Sequence, residues 1–184
     1  PTATSIPSSS IQNLAPGKTA SQSSNGDSAP PSRAVDGNTD GNYRNNSTTH
    51  TNSDYQAWWE VDLGELGNVQ YIKLWNRTDC CSDRLSNFHV LVSDTAFSSK
   101  DLQTSINQSG VSDYYYAGQA GNNVVFNVGR TARYVRVQLT GTNVLSLAEV
   151  EVWGGAGSAS SSVKNDDINS ALLISSSSSW QDEV

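Results

Sequence analysis

An all-β fold, a jelly-roll β-sandwich with Ser-rich flanking segments, is what this sequence predicts, on three observations. Of 184 residues only 35% are hydrophobic and 16% charged, and Ser, Thr, Asn and 14 Gly fill much of the rest; these are residues of turns, edges and linkers rather than of helices. The bulky side chains that are present, Trp58, Trp59, Trp75, Trp153, Tyr71, Tyr134 and many Val, suit strands. Apolar and polar residues alternate over Tyr134 to Leu139 and Val150 to Val152, the pattern of a half-buried strand. The length fits one folded unit and would hardly accommodate two cores.

Taken in order, residues 1–12, with Ser8, Ser9 and Ser10 together, read as a linker. The folded unit is expected over 13–154. Within it strands are predicted at Ala57 to Leu63, Val69 to Asn76, Asn87 to Ser93, Asn123 to Val128, Arg133 to Leu139 and Leu147 to Trp153. Turn signals separate them at Asp36-Gly37, Gly64-Glu65-Leu66-Gly67, Gly121-Asn122-Asn123 and Thr140-Gly141-Thr142. Strands at this spacing without helices between them suit a sandwich or jelly roll. Residues 155–184 hold ten Ser and read as a linker or tail, so the unit is expected to be a module with further domains in a longer polypeptide.

The net charge of −7 works against nucleic acid or an anionic membrane as partner, because both recruit clustered Lys and Arg. No apolar run approaches the ~20 residues of a membrane helix, so direct membrane insertion is not expected, and Pro1 to Ser10 lack the regions of a signal peptide. Enzyme signatures are missing as well. The only histidines are His50 and His89, and no nucleophile elbow, zinc-protease helix or phosphate loop occurs. His89, within Phe88-His89-Val90-Leu91-Val92, reads as a structural strand residue.

One segment carries chemistry: Asn76-Arg77-Thr78-Asp79-Cys80-Cys81-Ser82-Asp83-Arg84. Taken blandly, Arg77 and Arg84 are surface charges with Asp79 as ion-pair partner. The consecutive cysteines change the balance. They cannot close a long loop, and Cα atoms ~3.8 Å apart lie below the usual range for a disulfide, so a bond between them would close a small, stiff ring. Free thiols and a metal pair are the alternatives, although no other cysteine exists to complete a zinc site. If bonded, the pair offers a rigid apolar sulfur surface beside two guanidinium forks. Hydroxyls and a ring oxygen to accept, with a C–H face to pack, describe a sugar, and Asp79 offsetting the arginine charge favours a neutral polyol.

With that segment in view, the sequence resembles the F-type lectins, or fucolectins, of the discoidin-like (coagulation factor V/VIII type C) group. Their sugar motif is a His, 26 residues, Arg-x-Asp, four residues, then Arg or Lys. Here His50 precedes Arg77-Thr78-Asp79 by 26 intervening residues, and Cys80 to Asp83 precede Arg84. Further resemblance lies in Asn13-Leu14-Ala15, Arg33-Ala34-Val35-Asp36-Gly37, Trp58-Trp59-Glu60-Val61-Asp62-Leu63-Gly64, Arg133-Tyr134-Val135-Arg136-Val137 and Glu149-Val150-Glu151-Val152. It implies a jelly roll that binds fucosylated glycans without catalysis. In that reading His50, Arg77 and Arg84 donate to the axial 4-hydroxyl, a neighbouring hydroxyl and the ring oxygen of α-L-fucose, and Asp79 orients the arginines. A vicinal disulfide of Cys80 and Cys81 lies under the sugar ring, and Tyr43 helps form a slot for the fucose methyl group.

The resemblance also implies a structural Ca2+ held by Asp36, Asn38, Ser47, Glu149 and the main-chain carbonyls of Arg33 and Ala148, hard oxygen donors of the kind calcium takes. The chain departs from the family pattern too: Ser21 to Ser32 is a short first loop, Arg44 stands where a second aromatic is usual, and Thr48 replaces a cysteine. Asn45, Asn46 and Asn76 are N-glycosylation acceptors by sequence, and a glycan on Asn76 would crowd the pocket. A secreted or cell-surface protein of bacterial origin is expected. Two other functions compete: a discoidin-type module binding protein or phospholipid, which needs apolar or basic loop tips, and a glycoside hydrolase, which needs a carboxylate pair at catalytic spacing.

Overall fold

The computed structural model describes residues 10–156; most of the two expected Ser-rich linkers lies outside the described residues. In chain order the strands are β1 (Gln12–Asn13), β2 (Thr19–Gln22), β3 (Asp54–Tyr55), β4 (Trp58–Asn76), β5 (Ser86–Ser93), β6 (Val111–Gln119), β7 (Asn123–Leu139), β8 (Thr142–Asn143) and β9 (Leu147–Ala156). Among the described residues there is a single short α-helix, α1 (Leu102–Ile106), capped by Asp101, whose carboxylate accepts from the Thr104 amide. Every described strand pairing is antiparallel. No helix among the described residues is long and apolar enough to cross a membrane.

The sandwich is built by two long strands that belong to both layers. The first half of β4 pairs with β2 and with the end of β7, which continues through β5 to β6. Its second half pairs with β9 and with the start of β7, and β1 closes the far side of β9. Between the halves the β4–β7 register shifts from Asp62 to Gly67, and Gly64 adopts φ 86°, a left-handed conformation that glycine takes without a Cβ penalty. Gly64 to Gly67, expected to be a turn between strands, is therefore a bend inside one strand. The corner costs less than a break because β7 resumes pairing with β4 on its far side.

Alternation along these strands sends Trp59, Val61, Ile72, Leu74, Val90, Val135, Val137, Val150 and Val152 into the space between the layers, all fully buried. Each such side chain contributes about 1.5–3 kcal/mol from burial. The polar Trp59 Nε1 is satisfied by Pro31 O at 2.9 Å, which ties the core to the loops at one pole. Five strands escaped the sequence reading, among them the two-residue β1, β3 and β8. β2 is only four residues long, and β6, Val-Ser-Asp-Tyr-Tyr-Tyr-Ala-Gly-Gln, has an exposed outer edge and no clean alternation. Gln12 pairs with Gly154, and Gly155 and Ala156 pair with Asn68 and Gly67, so the sheet runs slightly past both expected boundaries of the unit.

Candidate functional site

The site lies at the pole where the loop between β2 and β3, the loop between β4 and β5, and the approach to β9 converge. His50 is delivered by an extended segment alongside residues 145–147. Thr49 N donates to Leu147 O at 2.8 Å and Thr51 N to Leu145 O at 3.1 Å. The two threonine hydroxyls accept the Leu147 and Leu145 amides at 3.0 and 2.9 Å. Thr49 and Thr51 are fully buried, and alternation turns the intervening imidazole the other way, toward the pole. There His50 Nδ1 meets Ser146 Oγ at 3.1 Å, and Nε2 lies 3.6 Å from the Asp27 carboxylate.

Arg77 is set by the residue before it. Asn76 ends β4 buried, its Nδ2 donating to Ser82 O at 2.9 Å and Gly121 O at 3.3 Å, while its Oδ1 accepts the Arg77 amide at 2.8 Å. This one side chain ties both ends of the arginine loop to the neighbouring β6–β7 turn. It also corrects an expectation: an amide buried and committed in this way is no accessible glycosylation acceptor. Further on, the Thr78 amide donates to Gly41 O at 2.8 Å. A Cβ on Gly41 would lie 2.5 Å from Thr78 Oγ1 and 2.7 Å from Asn76 O, so only glycine permits this approach of the two loops.

The Arg77 guanidinium, 8% exposed as a residue, is fixed in plane and from its face. Nε and Nη2 donate to the two Asp79 oxygens at 2.8 and 3.1 Å, and Cζ sits 4.4 Å from the centre of the Tyr43 ring. Tyr43 in turn tilts against His50, with ring centres 5.4 Å apart, and its amide donates to Asp79 at 3.2 Å. Asp79 is held down at about 2, chiefly by the Arg77 hydrogen bond, with the Tyr43 amide assisting against desolvation. His50 is pushed below its ordinary value by burial first, then by the Arg84 and Arg77 charges, with Asp27 opposing. The imidazole is therefore neutral at neutral pH, and the site presents polar N–H groups with half of its charge offset.

Cys80 and Cys81 form a disulfide with Cα atoms 3.8 Å apart. Cys81 adopts φ 57° and opens the turn Ser82–Arg84, whose Arg84 amide returns to Cys81 O at 3.1 Å. Tyr43, Arg77, Asp79 and Cys80 line one shallow depression, and Arg84 is close enough to act electrostatically on His50. All seven residues singled out for a ligand thus belong to one neighbourhood. Asp27 and Ser146, the two polar partners of His50, were not anticipated. Each stands alone in an ordinary loop sequence, and only the fold brings them to the imidazole.

Of the residues expected to hold a cation, Asp36 and Glu149 are brought close together beside this pole. Gly37 N donates to Glu149 Oε1 at 3.2 Å, while Glu149 Oε2 is buried with no partner. Burial pushes this carboxyl up to about 8, the Gly37 amide opposing and the nearby Asp36 charge adding to the rise. The Asp36 carboxylate accepts from the Asn38 amide at 2.8 Å, and Ser47 is buried with its hydroxyl donated to Asn42 O at 2.8 Å. Among the described residues no group of three or more His, Cys, Asp or Glu side chains assembles, so a cation here must draw on amide, hydroxyl and carbonyl oxygens. An orphaned buried carboxylate oxygen facing a second acid fits a hard divalent cation.

The profile of the NedA-like, galactose-binding domain family matches residues 33–137. The chain belongs to that family. Its relatives include Fucolectin-3 of Anguilla japonica, 36% identical over 124 residues, 66% of this chain and 64% of that one. Fucolectin-1 of the same species is 32% identical, and the match spans 66% of its length, so this chain corresponds to about two thirds of these lectins. Among solved structures, a Streptococcus pneumoniae fucose binding module is 39% identical with a TM-score of 0.69, covering 78% of this chain and 95% of that one. The lectin domain of Lectinolysin, solved with the Lewis B antigen, is 40% identical with a TM-score of 0.68, covering 79% and 98%. These likenesses carry the jelly-roll fold across the family at high coverage.

Proposed function

We propose that this chain is a non-catalytic carbohydrate-binding module recognising terminal α-L-fucose on glycans. The observation that carries the reading is the fixed Arg77: a guanidinium held by Asp79 and Tyr43 beside a neutral His50 and a vicinal disulfide. That set supplies directional N–H donors and an apolar patch with little net pull on free anions. Relatives described as fucolectins and as a fucose binding module support the choice of sugar.

In this reading Arg77 directs its remaining N–H groups, with Arg84 and His50 Nε2, at the axial 4-hydroxyl, a neighbouring hydroxyl and the ring oxygen. With the proton on Nε2, the nitrogen that faces the Asp27 carboxylate, Nδ1 is left to accept from the Ser146 hydroxyl. Asp79 holds Arg77 flat, the Cys80–Cys81 pair packs under the C–H face, and Tyr43 borders the methyl group. A sugar with an equatorial 4-hydroxyl leaves buried donors unpaired at about 1–3 kcal/mol each. Asp36, Asn38, Ser47, Glu149 and the carbonyls of Arg33 and Ala148 would hold Ca2+, whose charge would compensate Glu149 and tie the 36–47 loop to β9. The disulfide is of a kind that persists outside the reducing cytosol, consistent with a secreted or surface-attached protein.

A glycan array tests the reading. Fucosylated glycans should dominate the hits and disappear with Arg77→Ala; binding that survives this substitution would overturn the site.

A further inference from the structure

We propose that Arg44 forms an anion subsite on the rim of this pocket, selecting fucosylated glycans that carry a sulfate ester or a carboxylate next to the fucose. The inference rests on the fucose reading and extends it outward from the sugar. Arg44 borders the same depression as Tyr43, Arg77 and Cys80, in the turn Tyr43–Asn45. Its backbone is fixed, because the Arg44 amide donates to Asn42 Oδ1 at 3.1 Å. Its side chain is exposed, and among the described residues no carboxylate lies within ion-pairing distance of it, whereas Arg77, Arg130, Arg133 and Arg136 each hold one.

Two acids of the neighbouring segments are already engaged elsewhere. Asp79 gives both oxygens to Arg77. Asp40, in the same loop, accepts the Asn42 amide with Oδ1 at 2.9 Å and Asn45 Nδ2 with Oδ2 at 2.7 Å. Inside the pocket Asp79 offsets Arg77, and among the described residues Arg84 has no carboxylate within ion-pairing distance; at the rim the Arg44 guanidinium is a further unpaired fork, on a chain whose net charge is −7. A planar fork of donors matches two oxygens of a sulfate or a carboxylate. An anionic group held there would lie beyond the fucose ring, on another sugar of the same glycan.

The test compares three probes titrated against the full chain by calorimetry: the neutral Lewis a trisaccharide, its 3′-sulfate and its 3′-sialyl derivative. The unmodified chain should bind at least one anionic probe about three- to ten-fold more tightly than the neutral one, the range for an exposed charge-assisted contact. That ratio should fall to near one in Arg44→Gln and shrink for the unmodified chain in about 0.5 M NaCl, and which probe gains tells sulfate from carboxylate. Equal binding of neutral and anionic probes, or a preference that survives Arg44→Gln, would overturn the subsite and leave the fucose reading intact. Failure of all three fucosylated probes to bind the unmodified chain would overturn the fucose reading and this proposal with it.

Discussion

Arg77 supplies donors that its neighbours hold in place. Asp79, Tyr43 and Asn76 all touch it. Arg77→Ala removes those donors and leaves Asp79 unpaired, so affinity for fucosides should fall by about 100-fold or more. Arg77→Lys should recover little, because an ammonium cannot satisfy Asp79 in two places and reach a sugar as well. His50 and Glu149 tilt the pH dependence of stability in opposite directions. The His50 pKa lies below the ordinary 6.5 in the folded chain, so the unfolded chain takes up that proton first and this group's contribution is lost as pH falls below 6.5. Glu149, raised to about 8 when no cation is bound, acts the other way, its contribution being lost as pH rises toward 8. Melting curves between about pH 5 and pH 7.5 should isolate the histidine as a difference: relative to His50→Gln, the unmodified chain should lose stability as pH falls.

Two glycines separate fold from site at the scale of elements. Gly64 turns β4 from one layer to the other at φ 86°, and a Cβ added there would meet only the Lys18 ammonium, 3.8 Å away. Gly64→Ala should therefore lower stability by about 1 kcal/mol through backbone strain alone and leave sugar affinity unchanged. Gly41 has the opposite character: a Cβ there meets Thr78 and the Asn76 carbonyl, and Gly41→Ala should displace the Arg77 loop. About ten-fold weaker binding is expected, since shifts of an ångström in a positioned donor weaken it severely. Thermal melts and fucoside titrations of the two variants should give these reversed patterns.

The strands with alternating Val and Tyr were legible in the sequence because burial on one face demands that pattern. Gly64 to Gly67 was misread because a turn and a strand bend use the same residues, and only the pairing partners on both sides distinguish them. β6 was missed because its ladder with β5 is supplied by the partner strand rather than by its own composition. At the site, the spacing of His50, Arg77, Asp79 and Arg84 was visible. Asp27, Ser146 and the anchoring role of Asn76 were not, because each acts through a contact between loops far apart in sequence.

For the molecule as a whole, the proposed cation and sugar sites would be coupled through the 36–47 loop, which carries both Asp36 and Tyr43. Saturating Ca2+, at about 100 times its dissociation constant, should stabilise the fold by about 2.7 kcal/mol and raise the melting temperature by about 5–10 °C. Glu149→Gln should abolish that shift; a shift unchanged in the variant would remove Glu149 from the cation site. One shallow pocket with few donors binds weakly, so tight attachment to a glycan-coated surface would come from several copies acting together.

The most direct measurement of the central claim is a calorimetric titration of the full chain with methyl α-L-fucoside, run beside Arg77→Ala. The account expects one site per chain, saturable by the fucoside, and no detectable heat of binding in the variant. A chain that fails to bind the fucoside, or an Arg77→Ala variant that binds it as well as the unmodified protein, would contradict it.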